Sequence, residues 1–486
     1  MPVRSEPLTR RRLLRDGVLA ASVLALPLRL RADGPGPVMT ALSAYMAAAR
    51  EGTLPAAVIE QASFHVLDTV AAMVSGSELA PGRAALAFAR AQPGRPVATV
   101  VGSTLLTGPM EAALVNGVLA HSDETDDSHG PSQSHPGAAI VPAALAVGEA
   151  LGATGRQFLR AVTLGYDVGT RVTMALGGPE FRDKSRRSTH AIAGTFGAAA
   201  AAGGLAGLDA RQMRWLLDYA SQQAGGYAVW GRDTDHIEKG FVFGGMPARN
   251  GVTAALLVRA GWNGVDDVFS GADNFFQVNA PDGDPALLTD GLGGRFEIVN
   301  TDIKKWSVGT PIQAPLDAIE NIRRQRPFEA DDVRSVVVRL APAVGGVVDN
   351  REMPDICLQH MVAVMLLDKT ASFRAAHDKA RMQDAAVLRQ REKVTYTPDP
   401  SLAALLPARV AVVEIVLNDR TRFADRVEAV RGTVRNPMSR DEVVGKATDL
   451  VAPVLGADAA RTLIGRLLTI DGVADVRTLR PMLQRR

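Results

Sequence analysis

From Pro37 to about Gly271, apolar residues recur three and four positions apart in one segment after another: 57–76, 108–122, 138–152, 155–172, 209–226 and 251–261. That spacing predicts amphipathic or buried helices. Short Gly, Asp or Pro breaks separate them, as expected where neighbouring helices run antiparallel. The uncharged stretch 191–208, "AIAGTFGAAAAAGGLAGL", has bilayer-spanning length. Its Ala/Gly content carries little transfer energy, so it reads as a buried helix that lets other backbones approach closely.

After about residue 300 the period changes. A helix-like "APLDAIENIRRQ" precedes the β-branched run "VRSVVVRL" (333–340), and "ARVAVVEIVLNDRTRFADRVEAVRG" reads as a strand, a turn at Asn418-Asp419 and a return strand. Between them "CLQHMVAVMLLD" and "AAVLRQREK" are helical in pattern, and helices return from Arg440. The chain is therefore expected to be mainly α. A large all-helical domain (35–295) is completed by the C-terminal tail (435–486), with a smaller α+β lid domain (300–434) between them. The interface of two such units is a natural cleft.

Composition sharpens this picture. The chain has 486 residues, 47% of them hydrophobic but only 5% aromatic, with 46 Gly. Helix layers packed through small side chains fit these values better than a sandwich. Lys and Arg total 54 against 52 Asp and Glu, for a net charge of +2, and much of the surplus falls in the first 31 residues. With no long basic stripe and no zinc-finger spacing, nucleic acid is excluded as an expected partner. Cys357, the single cysteine, rules out an intrachain disulfide and reads as a small buried hydrophobe. At the amino terminus, Thr9 precedes Arg10, Arg11 and Arg12, and Leu13 and Leu14 lead to an apolar run from Gly17 to Leu28. Residues 1–32 thus read as a twin-arginine export signal with cleavage near Ala32, and the mature chain as periplasmic without stable membrane insertion. A basic amphipathic first helix is the alternative.

Polar chemistry concentrates at four places. The loop "HSDETDDSHGPSQSHPG" (121–137) holds Asp126 and Asp127 side by side, with His129 and His135 nearby. Two buried carboxylates raise each other's pKa, and an adjacent imidazole or ammonium can keep one ionised as a general base. A metal site and a solvated capping turn stay open as rival readings, although His-Glu-x-x-His and calcium-loop spacings are missing. Pro136 suits a first helical turn, which places His135 at a helix mouth where free N–H groups favour an anion. "FRDKSRRSTHAIAG" (181–194) brings Lys184, Arg186, Arg187 and His190 before the Ala/Gly helix, and Arg can clamp a carboxylate. "HIEKGFVFGGMPARNG" (236–251) sets Lys239 and Arg249 around a Gly-rich turn without the spacing of a dinucleotide fingerprint. "DIKKWSVGTPIQAPLD" (302–317) puts Lys304, Lys305 and Trp306 at the expected domain junction.

In order and spacing, the loop motif, "AGTFGAAAAAGGLAGL", "KGFVFGGMPARNGVTAALLVRAGWNG", "IKKWSVGTPIQAPLDAI" and "LPARVAVVEIVLND" resemble the MmgE/PrpD family from about residue 38 to 480. The resemblance implies a helical domain with an α+β lid, commonly a homodimer, acting on a small di- or tricarboxylate without metal or organic cofactor. Asp126 and Asp127 fall on the family's Asp pair, His135 on its following His-Pro, and Lys239 on its Lys before the Gly-rich turn. Departures are Glu124 for the first Asp, Ser128 for Thr, Val242 and Ser188 for two histidines, and "KKWSVG" for an aromatic-Pro-Cys sequence. His190 lies near the position that Ser188 vacates. The resulting expectation is a cofactor-independent lyase, a dehydratase in which Asp126 or Asp127, supported by His135, takes a proton alpha to a carboxylate and His190 supplies the acid. Glu124, Ser128, Arg186, Arg187, Lys239, Lys304 and Lys305 would bind substrate. An epimerase, and a periplasmic carboxylate-binding protein without catalysis, are the alternatives.

Overall fold

Proline opens helix after helix in this chain, at the one helical position where a missing N–H costs nothing. The computed structural model describes residues 34–485, and the twin-arginine segment lies outside them. Pro37 starts α1 (Pro37–Ala48), Pro81 lies in the first turn of α3 (Ala80–Ala91) and Pro109 starts α4 (Pro109–Ala120), with α2 (Ala56–Gly76) in between. The next helices are α5 (Gly137–Leu151), α6 (Gly155–Leu176), α7 (Gly178–Ser185), α8 (Thr189–Ala206), α9 (Ala210–Gln223) and α10 (Ile237–Arg259). Reciprocal caps at Thr154/Gln157 and Asp209/Gln212 fix where α6 and α9 begin.

The Ala/Gly helix α8 is buried along nearly its whole length and packs against α5, α6 and α10. A Cβ on Gly169 of α6 would strike the Ala193 carbonyl of α8, so this layer exists only because the contacting residues are small. Helices α2 and α10 are long and apolar enough to cross a membrane, yet most of each is buried inside this core. Within α10 the turn Phe241–Gly245 is wound as a π-helix and lies against α4. There Gly117 and Gly244 meet backbone to backbone, and a Cβ on either would strike the other's carbonyl.

A second apolar core begins at Trp306. Helix α11 (Thr310–Gln325) precedes β1 (Val333–Leu340), followed by α12 (Leu358–Asp368), α13 (Ala385–Arg391), β2 (Val394–Pro398), β3 (Ala411–Leu417) and β4 (Arg422–Val427). The sheet order is β2-β1-β3-β4: β2 is parallel to β1, β3 is antiparallel to β1, and β3 and β4 form a hairpin. Strand β2 has no clear signal in the sequence pattern; it is a short edge strand that ends at Pro398, where a missing N–H is tolerated. Cys357 is buried. The tail helices α14 (Arg440–Leu455) and α15 (Ala457–Leu467) return to the first core, α14 packing on α2. The chain is thus mainly helical, with a smaller mixed unit carrying the four-stranded sheet; the large unit, expected to be all-helical, also holds a short antiparallel pair, Ala98–Thr99 with Leu106–Thr107.

Candidate active site

Loop 121–136 runs between α4 and α5 and is mostly buried. Its two adjacent aspartates point in different directions. Asp127 is fully buried and accepts from the Tyr166 hydroxyl on α6 (2.5 Å) and from the Gly137 N–H at the start of α5 (3.0 Å), and it faces His65 Nδ1 on α2 at 2.9 Å. A carboxylate with this many partners is an anchor and has no free oxygen positioned for a substrate proton. The Asp127 carbonyl in turn accepts from His135 Nδ1 at 2.6 Å. That bond fixes the His135 tautomer and leaves Nε2 as the nitrogen with the free lone pair.

Asp126 meets His121 Nδ1 at 2.9 Å with one oxygen, while its other oxygen is buried without a hydrogen-bond partner, 3.5 Å from His135 Nδ1 and 3.8 Å from Lys304 Nζ. Burial pushes its pKa well above the ordinary carboxylate value, against the pull of Lys304. Glu124 behaves oppositely. Burial works against its charge, but Lys239 and Lys304 outweigh that and hold it well below its usual value. Lys239 from α10 pairs with its carboxylate, and Lys304 Nζ donates to its backbone carbonyl at 2.7 Å.

Around these groups four imidazoles gather with Phe243 of the π turn. His190 stacks on Phe243 with 3.7 Å between ring centroids, His135 lies 5.0 Å from both His190 and His121, and His236 lies 5.2 Å from His121. Burial first, and neighbouring positive charge second, lower all four: His121 to about 3, and His135, His190 and His236 well below the usual imidazole value. They are neutral at pH 7. From the lid side, His377 ends the one-turn helix Phe373–His377 and reaches Asp123 at 3.0 Å. Burial opposes its charge, yet Asp123 and Asp355 hold it up at about 9, so this imidazole is a cation. Burial opposes the charge on Asp123 as well, but His377 and the two Thr125 donors take it down to about 2. Asp355, buried nearby, is pushed up to about 6 by that burial.

Several expected residues thus converge: Glu124, Asp126, His135, His190, Lys239 and Lys304 share one cluster. Others do not. Lys305 turns to Glu320 (2.6 Å) and over the Trp306 ring, where the chain bends from Lys305 to Val308 and leaves Lys304 alone directed to Glu124. Arg187 caps the end of α9 by donating to the Ala224 carbonyl at 3.0 Å, and Arg186 is an exposed left-handed residue closing α7. Neither arginine makes a clamp there. Ser128 is engaged through its backbone with Asp302 and lines a cavity of about 490 Å³ that Lys304, Arg409 and Arg431 also border. Sequence pattern does not single out His65, Tyr166, His121, His236 or His377, although His121 opens the loop motif and His236 the segment 236–251; the other three arrive from distant elements.

Two sets of side chains have metal-ligand types within reach of one another, His121/Asp126/His135 and His121/Glu124/His236. In the first, both histidines already direct Nδ1 to loop oxygens. In the second, the Nε2 atoms of His121 and His236 are buried without a partner.

Comparison with known proteins adds the following. The MmgE/PrpD N-terminal domain model matches residues 40–288, and the MmgE/PrpD C-terminal domain model matches residues 306–469. The chain is 26% identical over 476 residues to the cis-aconitate decarboxylase-like protein oryM of Aspergillus oryzae, covering 91% of this chain and 96% of that protein. It is 25% identical over 457 residues to the cis-aconitate decarboxylase of Homo sapiens (89% and 92% covered), and 27% identical over 402 residues to that of Mus musculus (77% and 78%).

Proposed function

The chain belongs to the MmgE/PrpD family, and on that premise we propose that it is a lyase in which His135 Nε2 takes a proton alpha to a carboxylate. Membership supports cofactor-independent dehydratase- or lyase-type chemistry on a small carboxylate. The observation that carries the finer reading is the 2.6 Å bond from His135 Nδ1 to the Asp127 carbonyl, which presents the opposite nitrogen to the cluster. This moves the base from the aspartate pair, where the sequence motif suggests it, to the imidazole they hold.

The proton alpha to a carboxylate is weakly acidic, so the site must also stabilise the charge left behind. Lys239 and Lys304 are the cations in place, both on Glu124. A substrate carboxylate arriving between them would compete with Glu124 for the ammonium groups. Its negative charge would also favour the imidazolium that forms at His135. His190 is neutral, so its part is a hydrogen bond from the stacked ring to substrate, and Lys239 is the better proton donor to a leaving hydroxyl. The substrate is a small hydroxy di- or tricarboxylate.

The test is proton NMR in deuterium oxide with citrate-like, hydroxy-dicarboxylate and amino-dicarboxylate compounds. The parent chain should lose an alpha-proton signal and form an alkene, and His135→Gln should slow this by about 10²- to 10⁴-fold. Exchange in His135→Gln within about twofold of the parent would remove His135 as the base. Decarboxylation is the second reading, favoured by the names of the three relatives; cis-aconitate belongs in the panel, with evolved carbon dioxide as its readout. Export by residues 1–32 is part of the same proposal and is tested by replacing Arg10 and Arg11 with Lys and fractionating cells.

A further inference from the structure

We propose that His121, His236 and Glu124 form a site for one divalent transition-metal ion of borderline softness, such as Zn²⁺, Co²⁺ or Ni²⁺, which competes with the Lys239 ammonium and blocks the cluster when bound. The ion is an antagonist of the site and takes no part in the reaction proposed above, so this inference stands or falls separately from it.

Three observations carry it. The ligand atoms of the three side chains lie within 4.8 Å of one another, and all three residues are buried. A tetrahedral ion with bonds of about 2 Å holds its ligands about 3.3 Å apart, a contraction that the torsions of Glu124 can supply. Second, His121 Nε2 and His236 Nε2 are buried nitrogens with no hydrogen-bond partner, which is costly unless something binds them. Third, His121 directs Nδ1 to the Asp126 carboxylate at 2.9 Å, the outer-shell arrangement that orients an imidazole so that Nε2 can take a metal. The overlapping set of His121, Asp126 and His135 lacks this quality, because it would take as a ligand Asp126, the carboxylate that orients His121 from the outer shell.

Lys239 is why the site discriminates. Its ammonium pairs with Glu124 and lies 5.3 Å from the Phe243 centroid and 5.5 Å from that of Trp230. A metal must take Glu124 from this resident cation while Lys304 stays 3.7 Å from the carboxylate. Hard ions gain little from two imidazoles against that repulsion, whereas borderline ions gain two nitrogen bonds. Affinity should therefore rise when Lys239 is removed.

The experiment is Co²⁺ and Zn²⁺ titration of the tag-free chain, read by visible Co²⁺ absorption and calorimetry without substrate. We expect about one equivalent bound, with the intense bands of a low-coordinate ion. His236 has φ 62°, a left-handed conformation that Asn also adopts, so His236→Asn keeps the backbone and should weaken binding at least about tenfold. Lys239→Met should tighten it by about tenfold. Absence of saturable binding to the parent chain, or binding unmoved by His236→Asn in a variant of unchanged thermal midpoint, would overturn the site. Unchanged affinity in Lys239→Met would overturn the competition.

Discussion

Asp127 faces α2 and α6, where His65, Tyr166 and the Gly137 amide occupy its oxygens, whereas Asp126, one residue earlier, faces the imidazole cluster with one oxygen unpaired. The same side chain therefore serves as an anchor on one wall of the loop and as part of a proton-sharing pair with His121 on the other. What separates them is donor count. The anchored wall has a donor aimed at each carboxylate oxygen and a fixed geometry. The opposite wall holds neutral imidazoles that are poorly solvated and poorly paired, a condition that favours binding something else.

The widest way to expose this contrast is acid. His121, His135, His190 and His236 have folded pKa values below the 6.5 of the free imidazole. The unfolded chain therefore binds protons first: stability is intact above about pH 6.5 and falls as pH drops below it. Four such groups give a slope of up to roughly 5 kcal/mol per pH unit. Asp126 and Asp355, whose pKa values burial raises, work in the opposite direction, so the readout is the difference between chains: from about pH 7 to about pH 5.5, urea unfolding should show about 1 kcal/mol less acid loss in His236→Asn than in the parent. Equal pH dependence in the two chains would mean that this imidazole is hydrated and the contrast is lost.

Next in size is Asp127→Ala, which strands the Tyr166 hydroxyl, the Gly137 N–H and His65 together and should cost about 3–5 kcal/mol. Asp126→Asn keeps the volume of a side chain whose charged form burial disfavours, and should change stability by about 1 kcal/mol or less while still altering turnover. Equal losses in the two variants, by chemical denaturation, would erase the distinction between the walls. The smallest effect is expected at Lys305→Met, whose partly exposed pair with Glu320 of the lid should matter by less than about 1 kcal/mol. Turnover in that variant should stay within about twofold of the parent.

The helices of the first core were legible because their apolar positions repeat with the helical period, and the β3–β4 hairpin because β-branched residues flank a turn pair. The loop motif also announced itself by composition. Its division of labour did not, since donor count at Asp127 depends on Tyr166 and His65, residues 39 and 62 positions away. Lys304 and Lys305 look equivalent in sequence, and only the direction of the connection separates the one that reaches Glu124 from the one that reaches Glu320. Arg186 and Arg187 resemble a carboxylate clamp by charge alone, but helix ends claim both. His236 opens a segment marked out by its lysine and glycines and not by the imidazole, His377 sits among ordinary polar residues, and packing of α10 and of the lid brings them in.

Lys446 on α14 pairs with Asp68 of α2 at 2.6 Å and donates to the Thr125 carbonyl at 2.9 Å. The loop's own backbone is therefore held by a residue 321 positions further along the chain. Without the tail, the buried Asp68 carboxylate and the Thr125 carbonyl lose the ammonium group that holds them together. Removing residues from Arg440 onward should accordingly expose the loop to proteases, and limited proteolysis would show the cut within 121–136 if the tail is the clasp that closes the site.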